Sequence, residues 1–145
     1  CAFWLLACWC VREFTHATPT SRATYAPPVS VLKPVEGLDP QADANYRSFC
    51  QQDYPEYEIL FAMQGTAQPV LPVLERLKRE FPRQNIQIVT AEPLGVNAKV
   101  SNLHALAAVA RHDILVISDS DMRVTPDYMR QVVAPLEDES VGVVN

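Results

Sequence analysis

Two carboxylates one residue apart, Asp119 and Asp121, follow the apolar run from Ile114 to Ser118. The run is short and rich in β-branched residues, so it predicts a buried strand that ends where the acids begin. In an open parallel sheet, ligands bind at the carboxyl ends of the strands. Two acids at such a strand end can share one hard divalent cation, Mg or Mn, which prefers oxygen ligands and keeps positions open for phosphate. The triplet predicts a metal-diphosphate site, but Asp and Ser are also ordinary turn residues.

Two further segments carry groups that could bind an anionic ligand. The segment Gly95 to Asn102 offers a glycine, two amides and Lys99 just before a predicted helix, and a helix amino terminus attracts phosphate. The same composition fits an ordinary capped helix with a surface lysine. Pro34 and Glu36 close the first predicted strand, where Glu36 or the backbone could touch a base or ribose. Proline and glycine after a strand also mark a plain turn.

The elements that must position these residues alternate between short apolar runs and longer segments of helical periodicity. This alternation predicts an α/β domain with a largely parallel sheet. We predict strands over residues 29–33, 57–63, 86–89 and 114–118, and helices over residues 39–50, 70–81, 100–110 and 126–136. A last apolar run, Val141 to Val144, predicts a further strand.

The amino-acid composition limits the classes of protein to which the chain can belong. The chain has 145 residues, of which 48% are hydrophobic and 20% charged, which is typical of one globular domain rather than a disordered segment. The net charge of -5 provides no broad basic surface, so we expect no nucleic-acid partner. The four cysteines form no Cys-x-x-Cys pair, which argues against a zinc site and favours a reduced, cytosol-facing compartment.

The amino-terminal end is apolar throughout residues 1–11. Because a helix needs about 20 residues to cross a bilayer, this stretch is too short to span one alone. We predict that residues 1–14 are the end of a truncated transmembrane helix, that residues 15–28 are a linker, and that residues 29–145 form part of a longer domain. A signal-peptide remnant or a buried helix would have the same composition.

Four segments then occur in one order along the chain: VSVLKPVEGLDP, FCQQDYPEYEILFAMQ, GVNAKVSNL and ILVISDSDMRVTPDYM. In these segments, the chain resembles the ceramide glucosyltransferase-like glycosyltransferases of families 2 and 21, including bacterial enzymes associated with hopanoid lipids. The resemblance implies a GT-A fold, a Rossmann-like, mostly parallel sheet flanked by helices and incomplete in this chain. It also implies UDP-glucose or UDP-N-acetylglucosamine as donor, a divalent cation, a ceramide- or hopanoid-type lipid acceptor, and inversion at the anomeric carbon.

The resemblance also assigns residues to the donor site. Asp119 and Asp121 would hold the metal, and the residues that would contact the donor are Lys33, Pro34, Glu36, Lys99, Asn102 and Asp119. The family's general base and its Gln-x-x-Arg-Trp motif would lie beyond Asn145. The implied location is a membrane, with the catalytic domain on the cytoplasmic side.

One departure from the family pattern is the Gln68-Pro69 step, where the family usually has an acidic residue before the proline. That carboxylate would ordinarily help to hold the nucleotide base, so the identity of the donor stays open. Two other functions therefore stay open as well. One is a non-catalytic GT-A-like module that binds a nucleotide, and the other is a doubly wound receiver or phosphate-binding α/β protein.

Overall fold

A parallel sheet forms the centre of the computed structural model, which describes Trp4, Trp9, Arg12 and residues 25–144. Its strands, in the spatial order β3-β2-β1-β4, are β1 (Val29–Pro34), β2 (Tyr57–Gln64), β3 (Asn85–Ala91) and β4 (Ile114–Ile117). The helices are α1 (Ala42–Cys50), α2 (Leu71–Glu80), α3 (Ala98–Val109) and α4 (Tyr128–Val133), and a 3-10 turn (Ala134–Glu137) follows the last of them. This arrangement confirms the predicted α/β class.

Strands β1 and β2 are mainly apolar because they are buried on both faces, and Ser30, Lys33 and Glu58 are their buried polar residues. Leu32 of β1 pairs with Leu60 of β2 on one side and with Ile117 of β4 on the other. Since parallel neighbours cannot be joined by a tight hairpin, each connection contains a helix. Strand β1 has a neighbour on each side, so it ends within the carboxyl edge of the sheet and not at a corner.

The two faces of the sheet carry separate hydrophobic clusters, because successive side chains of a strand point to opposite faces. Helices α1, α2 and α4 contribute to the larger cluster, which includes Val29, Val31, Tyr46, Phe49, Ile59, Phe61, Met63, Leu74, Leu77, Met129 and Val133. Helix α3 covers the opposite face through Leu106, which packs with Leu32, Leu60 and Ala62.

The change of face between α1 and α3 creates the crevice at which the predicted site residues lie. Strand β1 leads into α1 on one face, whereas β4 is reached through α3 on the other face. The loops that leave β1 and β4 therefore diverge although the two strands are neighbours in the sheet. In open α/β sheets this topological switch point is where ligands bind.

Beyond small shifts in the ends of elements, three predicted elements differ from the structure. Strand β4 is not the buried strand that its sequence predicts, because it lies at the edge of the described sheet, where Leu115 and Ile117 are exposed. Helix α4 ends at Val133 instead of continuing to Leu136, because Pro135 has no N–H for the next helical hydrogen bond and the chain tightens into a 3-10 turn. The strand predicted at Val141 to Val144 is wrong. These residues have no strand partner in the described part of the chain, and the only bond formed there is a turn in which Val141 N–H donates to the Asp138 carbonyl.

Most of the predicted membrane-helix end and linker lies outside the described residues. Within the described part of the chain, no helix combines the length and apolarity needed to cross a membrane. The last linker residues pack on the domain, since the Tyr25 hydroxyl donates a 2.9 Å hydrogen bond to the Leu136 carbonyl. Tyr25 and Ala26 also contact the larger hydrophobic cluster.

A buried carboxylate that the sequence gave no reason to single out ties the sheet together at its opposite edge. Glu58 in β2 is fully buried. Its Oε1 accepts hydrogen bonds from Ser30 Oγ (2.7 Å) and the Arg111 N–H (2.8 Å). Its Oε2 accepts from Arg111 Nε (2.9 Å), Asn85 Nδ2 (3.0 Å) and Gln87 Nε2 (3.3 Å). The group therefore joins β2 to its two neighbours, β1 and β3, and to the loop before β4.

We expect Glu58→Gln to lower the free energy of unfolding by about 1.5–3 kcal/mol, because the amide loses charge-assisted hydrogen bonds. Burial alone would raise the pKa of Glu58, but the hydrogen bonds from Ser30 and Arg111 outweigh it and hold the pKa below its ordinary value of 4.5. A lowered pKa means that the stabilisation is present above pH 4.5 and is lost as the pH falls through the folded-state pKa.

Urea denaturation at a series of pH values measures both effects. Below pH 4.5, the free energy of unfolding of the wild type should decrease as the pH is lowered. This decrease should be smaller in the Glu58→Gln variant. Glu56→Gln is the matched control, since Glu56 is exposed two residues upstream. Equal stability losses in the two variants would contradict the role of Glu58.

Candidate functional site

A cleft of about 590 Å³ opens at the switch point between β1 and β4. This volume lies within the range of small-ligand sites, about 300–1,000 Å³. Its walls come from the loop after β1, the first turns of α3 and the turn after β4. The residues that line it are Pro34, Val35, Glu36, Leu38, Asp39, Pro40, Lys99, Asn102, Asp119, Ser120 and Asp121. The structure thus brings together residues predicted from three distant segments.

Asp119 and Asp121 lie in the turn that leaves β4. Both line the cleft and both are exposed. The turn closes with a 3.3 Å hydrogen bond from the Met122 N–H to the Asp119 carbonyl. The two interpretations of the triplet are therefore compatible, because the acids form a turn and also present two carboxylates to one cleft.

Lys99, in the first turn of α3, extends to the same turn. Its Nζ lies 2.6 Å from Asp119 Oδ1, and both side chains are more than half exposed. An exposed pair of this kind adds at most about 1 kcal/mol of stability. The adjacent Asn97 caps the helix in the ordinary way, since its side chain accepts a hydrogen bond from the Val100 N–H. The helix start is thus both a capped terminus and a cationic wall of the cleft.

Asn102, one turn further along α3, links the helix to the loop after β1. Its Nδ2 donates a 3.3 Å hydrogen bond to the Val35 carbonyl, while its Oδ1 is buried without a protein partner. Gly37 allows the loop to turn at φ +68°, in the left-handed region that costs glycine little. The loop that carries Pro34 and Glu36 is therefore held to the wall formed by α3.

Lys33 takes a different place from the other predicted residues. It is fully buried beneath the turn after β4 and does not line the cleft. Its Nζ donates to the Asp119 carbonyl (2.8 Å) and to Ser118 Oγ (3.1 Å), and lies 3.8 Å from the centroid of the Phe49 ring. Burial lowers the pKa of Lys33 to about 7, against the opposing effect of Asp119 and Asp121. Its predicted contact with a donor stays a prediction.

Asn45, on the buried face of α1, contacts the site but is not among the residues predicted from the sequence. Its Nδ2 donates a 3.1 Å hydrogen bond to the Asp121 carbonyl. A signal was available, since Ala42, Asn45 and Phe49 occur at helical spacing on one face and only the asparagine is polar. A polar side chain on such a face needs a specific partner.

Gln68, which stands where the family pattern has an acid, lies outside the lining of the cleft. Its Nε2 donates a 2.8 Å hydrogen bond to the Gln64 carbonyl, within the loop after β2. The side chain therefore stabilises its own loop. Its effect on nucleotide choice stays a prediction.

The carboxylates that line the cleft fit a divalent cation that takes part of its ligands from a substrate. No group of three or more His, Cys, Asp or Glu side chains in the described residues is placed to hold a metal alone. Two carboxylates, Asp119 and Asp121, are instead the donor set of Mg²⁺ or Mn²⁺ sites that take their remaining oxygens from substrate phosphates and water. The residues present therefore fit a cation that binds together with a diphosphate.

Comparison with known sequences supports a family assignment. The model of glycosyl transferase family 21 matches residues 1–145. The ceramide glucosyltransferase of Komagataella phaffii is 32% identical over 74% of the chain, and ceramide glucosyltransferase 1 of Caenorhabditis elegans is 33% identical over 70% of it. In both cases the matched segment is 22% of the relative's length, so the chain spans about a fifth of these proteins.

Comparison with solved structures shows the fold. A mannosyltransferase from Pyrobaculum calidifontis, solved in complex with GDP-Man and Mn²⁺, superposes with a TM-score of 0.70 over 95% of this chain and 41% of that one, at 24% identity. TarS from S. aureus, solved with UDP-GlcNAc, gives a TM-score of 0.59 over 78% of this chain and 32% of that one, at 17% identity. The family match along the whole chain and the shared sheet place the chain in glycosyl transferase family 21, among the ceramide glucosyltransferase-like members with a GT-A fold.

Proposed function

We propose that this chain supplies the donor-binding half of the GT-A domain of an inverting, metal-dependent glycosyltransferase that moves a hexose from a UDP-sugar to a ceramide- or hopanoid-type lipid. One observation carries the proposal: Asp119, Asp121 and Lys99 line a single cleft at the switch point of the sheet. The ceramide glucosyltransferases among the relatives support the lipid acceptor and UDP-glucose, and the TarS complex supports UDP-N-acetylglucosamine as the alternative donor.

The chemistry of the cleft suits a departing nucleoside diphosphate. Asp119 and Asp121 would hold Mg²⁺ or Mn²⁺, and the cation would supply charge neutralisation as negative charge develops on the leaving group. Lys99 can exchange its contact with Asp119 for a phosphate oxygen and add a second positive charge. The amino terminus of α3 adds its dipole on the same side. The cleft thus provides stabilisation for the leaving group.

The remaining parts of the donor have partners on the loop after β1. The Glu36 carboxylate can accept hydrogen bonds from ribose hydroxyls or a base N–H, and Asn102 holds this loop against α3 through its hydrogen bond to the Val35 carbonyl. An inverting transfer also requires a base that removes the proton of the acceptor hydroxyl. We assign that base to residues beyond Asn145.

Calorimetric titration of UDP into the full-length protein that carries this chain tests the proposal. We expect binding in the presence of Mn²⁺ and at least about tenfold weaker binding after removal of the metal with EDTA, because the diphosphate then meets two uncompensated carboxylates. GDP serves as the comparison nucleotide. Absence of UDP binding under both conditions would refute the proposal.

A transfer assay separates the enzyme from its alternative. Radiolabelled UDP-glucose and UDP-N-acetylglucosamine, supplied with ceramide or a hopanoid, should yield a labelled lipid with one of the donors. UDP binding without transfer to either lipid would favour the non-catalytic GT-A-like module.

We expect Lys99→Gln to raise the KM for the UDP-sugar about tenfold while the melting temperature stays unchanged, because an exposed lysine contributes charge to the ligand rather than stability to the fold. The defect should shrink at high salt, where the wild-type attraction is screened. Lys78→Gln, on the exposed side of α2, is the matched control. Equal KM values for the Lys99→Gln and Lys78→Gln variants would show that Lys99 is not part of the donor site.

We also propose that the protein acts at a membrane with its cleft on the cytoplasmic side. The apolar residues 1–11, followed by Arg12 and Arg22, support this orientation. Protease digestion of sealed, right-side-out vesicles should leave the domain intact until the membrane is opened. Cleavage in intact vesicles would place the domain on the other side.

A further inference from the structure

The turn that carries the two carboxylates rests on two buried polar side chains from different elements. Lys33 of β1 donates to the carbonyl of Asp119, the first residue of the triplet. Asn45 of α1 donates to the carbonyl of Asp121, the third residue of the triplet. Fixing these two carbonyls fixes the Asp119–Ser120 and Asp121–Met122 peptide planes. Each plane adjoins the Cα atom from which one of the two carboxylates leaves the backbone.

An apolar side chain of similar shape could fill the buried space that Lys33 or Asn45 occupies. Burial of an ammonium group is costly, and an apolar residue of the same shape is often neutral or stabilising in its place. The Asn45 Oδ1 is buried without a hydrogen-bond partner, a second unfavourable feature. Local rules that a protein breaks in this way are expected at functional sites. The unfavourable burial of both groups therefore points to a role at the turn that they contact.

We propose that Lys33 and Asn45 are positioning residues that hold the Asp119–Asp121 turn in the one conformation in which both carboxylates reach the same cation. The inference rests on the proposed function, because it assumes that these carboxylates bind a metal with the donor diphosphate. Lys33 acts through its two oxygen contacts, to the Asp119 carbonyl and to Ser118 Oγ, and the face of the Phe49 ring stabilises its charge. Asn45 acts through its single hydrogen bond to the Asp121 carbonyl.

The experiment uses Lys33→Met and Asn45→Leu, which keep the approximate shape of each side chain and remove its donor. Mn²⁺ affinity is measured by electron paramagnetic resonance on the full-length protein with saturating UDP, and the melting temperature is measured in parallel without ligand. We expect each variant to bind Mn²⁺ about 10–100-fold more weakly, the range found when an outer partner of a metal ligand is removed. The melting temperature should stay the same or rise.

Leu32→Met is the matched control, because Leu32 is buried beside Lys33 in the same strand but faces the opposite cluster. It should leave Mn²⁺ affinity unchanged. A lower melting temperature with wild-type Mn²⁺ affinity in Lys33→Met and Asn45→Leu would overturn the inference, since it would show a purely structural role. Loss of folding in both variants would overturn it too, because the inference requires a fold that tolerates their removal. If only one variant folds, the Mn²⁺ affinity of that variant decides whether the inference stands.

Asp119→Asn in the same assay separates this inference from the proposed function. If Asp119→Asn binds Mn²⁺ and UDP like the wild type, the proposed metal site is wrong. If Asp119→Asn loses the metal while Lys33→Met and Asn45→Leu retain it, the metal site stands and only the positioning role is wrong.

Discussion

Replacement of Asp119 or Asp121 by Asn is expected to reduce sugar transfer by about 100-fold or more, since either change removes one of the two protein carboxylates that would hold the cation at the leaving group. The loss should appear in kcat as well as in donor binding, because charge on the diphosphate grows in the transition state. The melting temperature should change little, since both side chains are exposed. Steady-state kinetics with labelled UDP-sugar provide the measurement.

Asp113→Asn is the matched control for this prediction. Asp113 is an exposed acid just before β4, whereas Asp119 follows the same strand, so the two lie about 20 Å apart along the extended chain. Its replacement should leave kcat and KM unchanged. Similar losses in Asp113→Asn and Asp119→Asn would indicate a general effect of charge rather than a cation site.

The largest expected loss of stability follows from Phe49→Ala, at about 3–5 kcal/mol in the free energy of unfolding. Phe49 is fully buried at the centre of the larger hydrophobic cluster. Its ring makes an edge-to-face contact with Tyr128, with centroids 6.0 Å apart, and faces the ammonium group of Lys33. The truncation leaves a cavity and also removes the ring that stabilises a buried charge, so the cost should lie at the upper end of the range. Urea denaturation measures it.

Phe81→Ala tests whether burial explains that loss. Phe81 follows α2 and is only half-buried, with the Arg47 guanidinium 5.5 Å from its ring centroid. Because solvent and neighbouring side chains can fill the space, the cost should stay below about 2 kcal/mol. A loss as large as that of Phe49→Ala would show that the core does not centre on α1 and the face of β1.

Local patterns sufficed for much of the fold. The helical spacing in α2 has a period of its own, and the short, mainly apolar runs of β1, β2 and β4 are bounded by turn residues, so each element could be predicted without its neighbours. The place of Asp119 and Asp121 also followed from the sequence, since an acid pair directly after an apolar strand of a parallel sheet lies at the carboxyl edge. The ordered motifs indicated the family, which the match along residues 1–145 confirms.

Other features depend on contacts between residues far apart in the chain. The run Val141 to Val144 has the composition of a strand, but a strand also needs a neighbour, and none is present in the described residues. Glu58 looked like one more charge, yet three strands and the loop before β4 converge on it. The full burial of this carboxylate is a property of the assembled sheet.

The same distinction applies to the site. The sequence by itself determined which residues are candidates for its chemistry, because carboxylates after a strand and a lysine at a helix start are local features. Only the tertiary structure decided that Lys99 reaches Asp119, that Lys33 lies beneath the cleft, and that Asn45 holds the far end of the triplet. These roles depend on the order of the strands and on the face that each helix covers, and both are fixed by contacts between segments 76 to 86 residues apart.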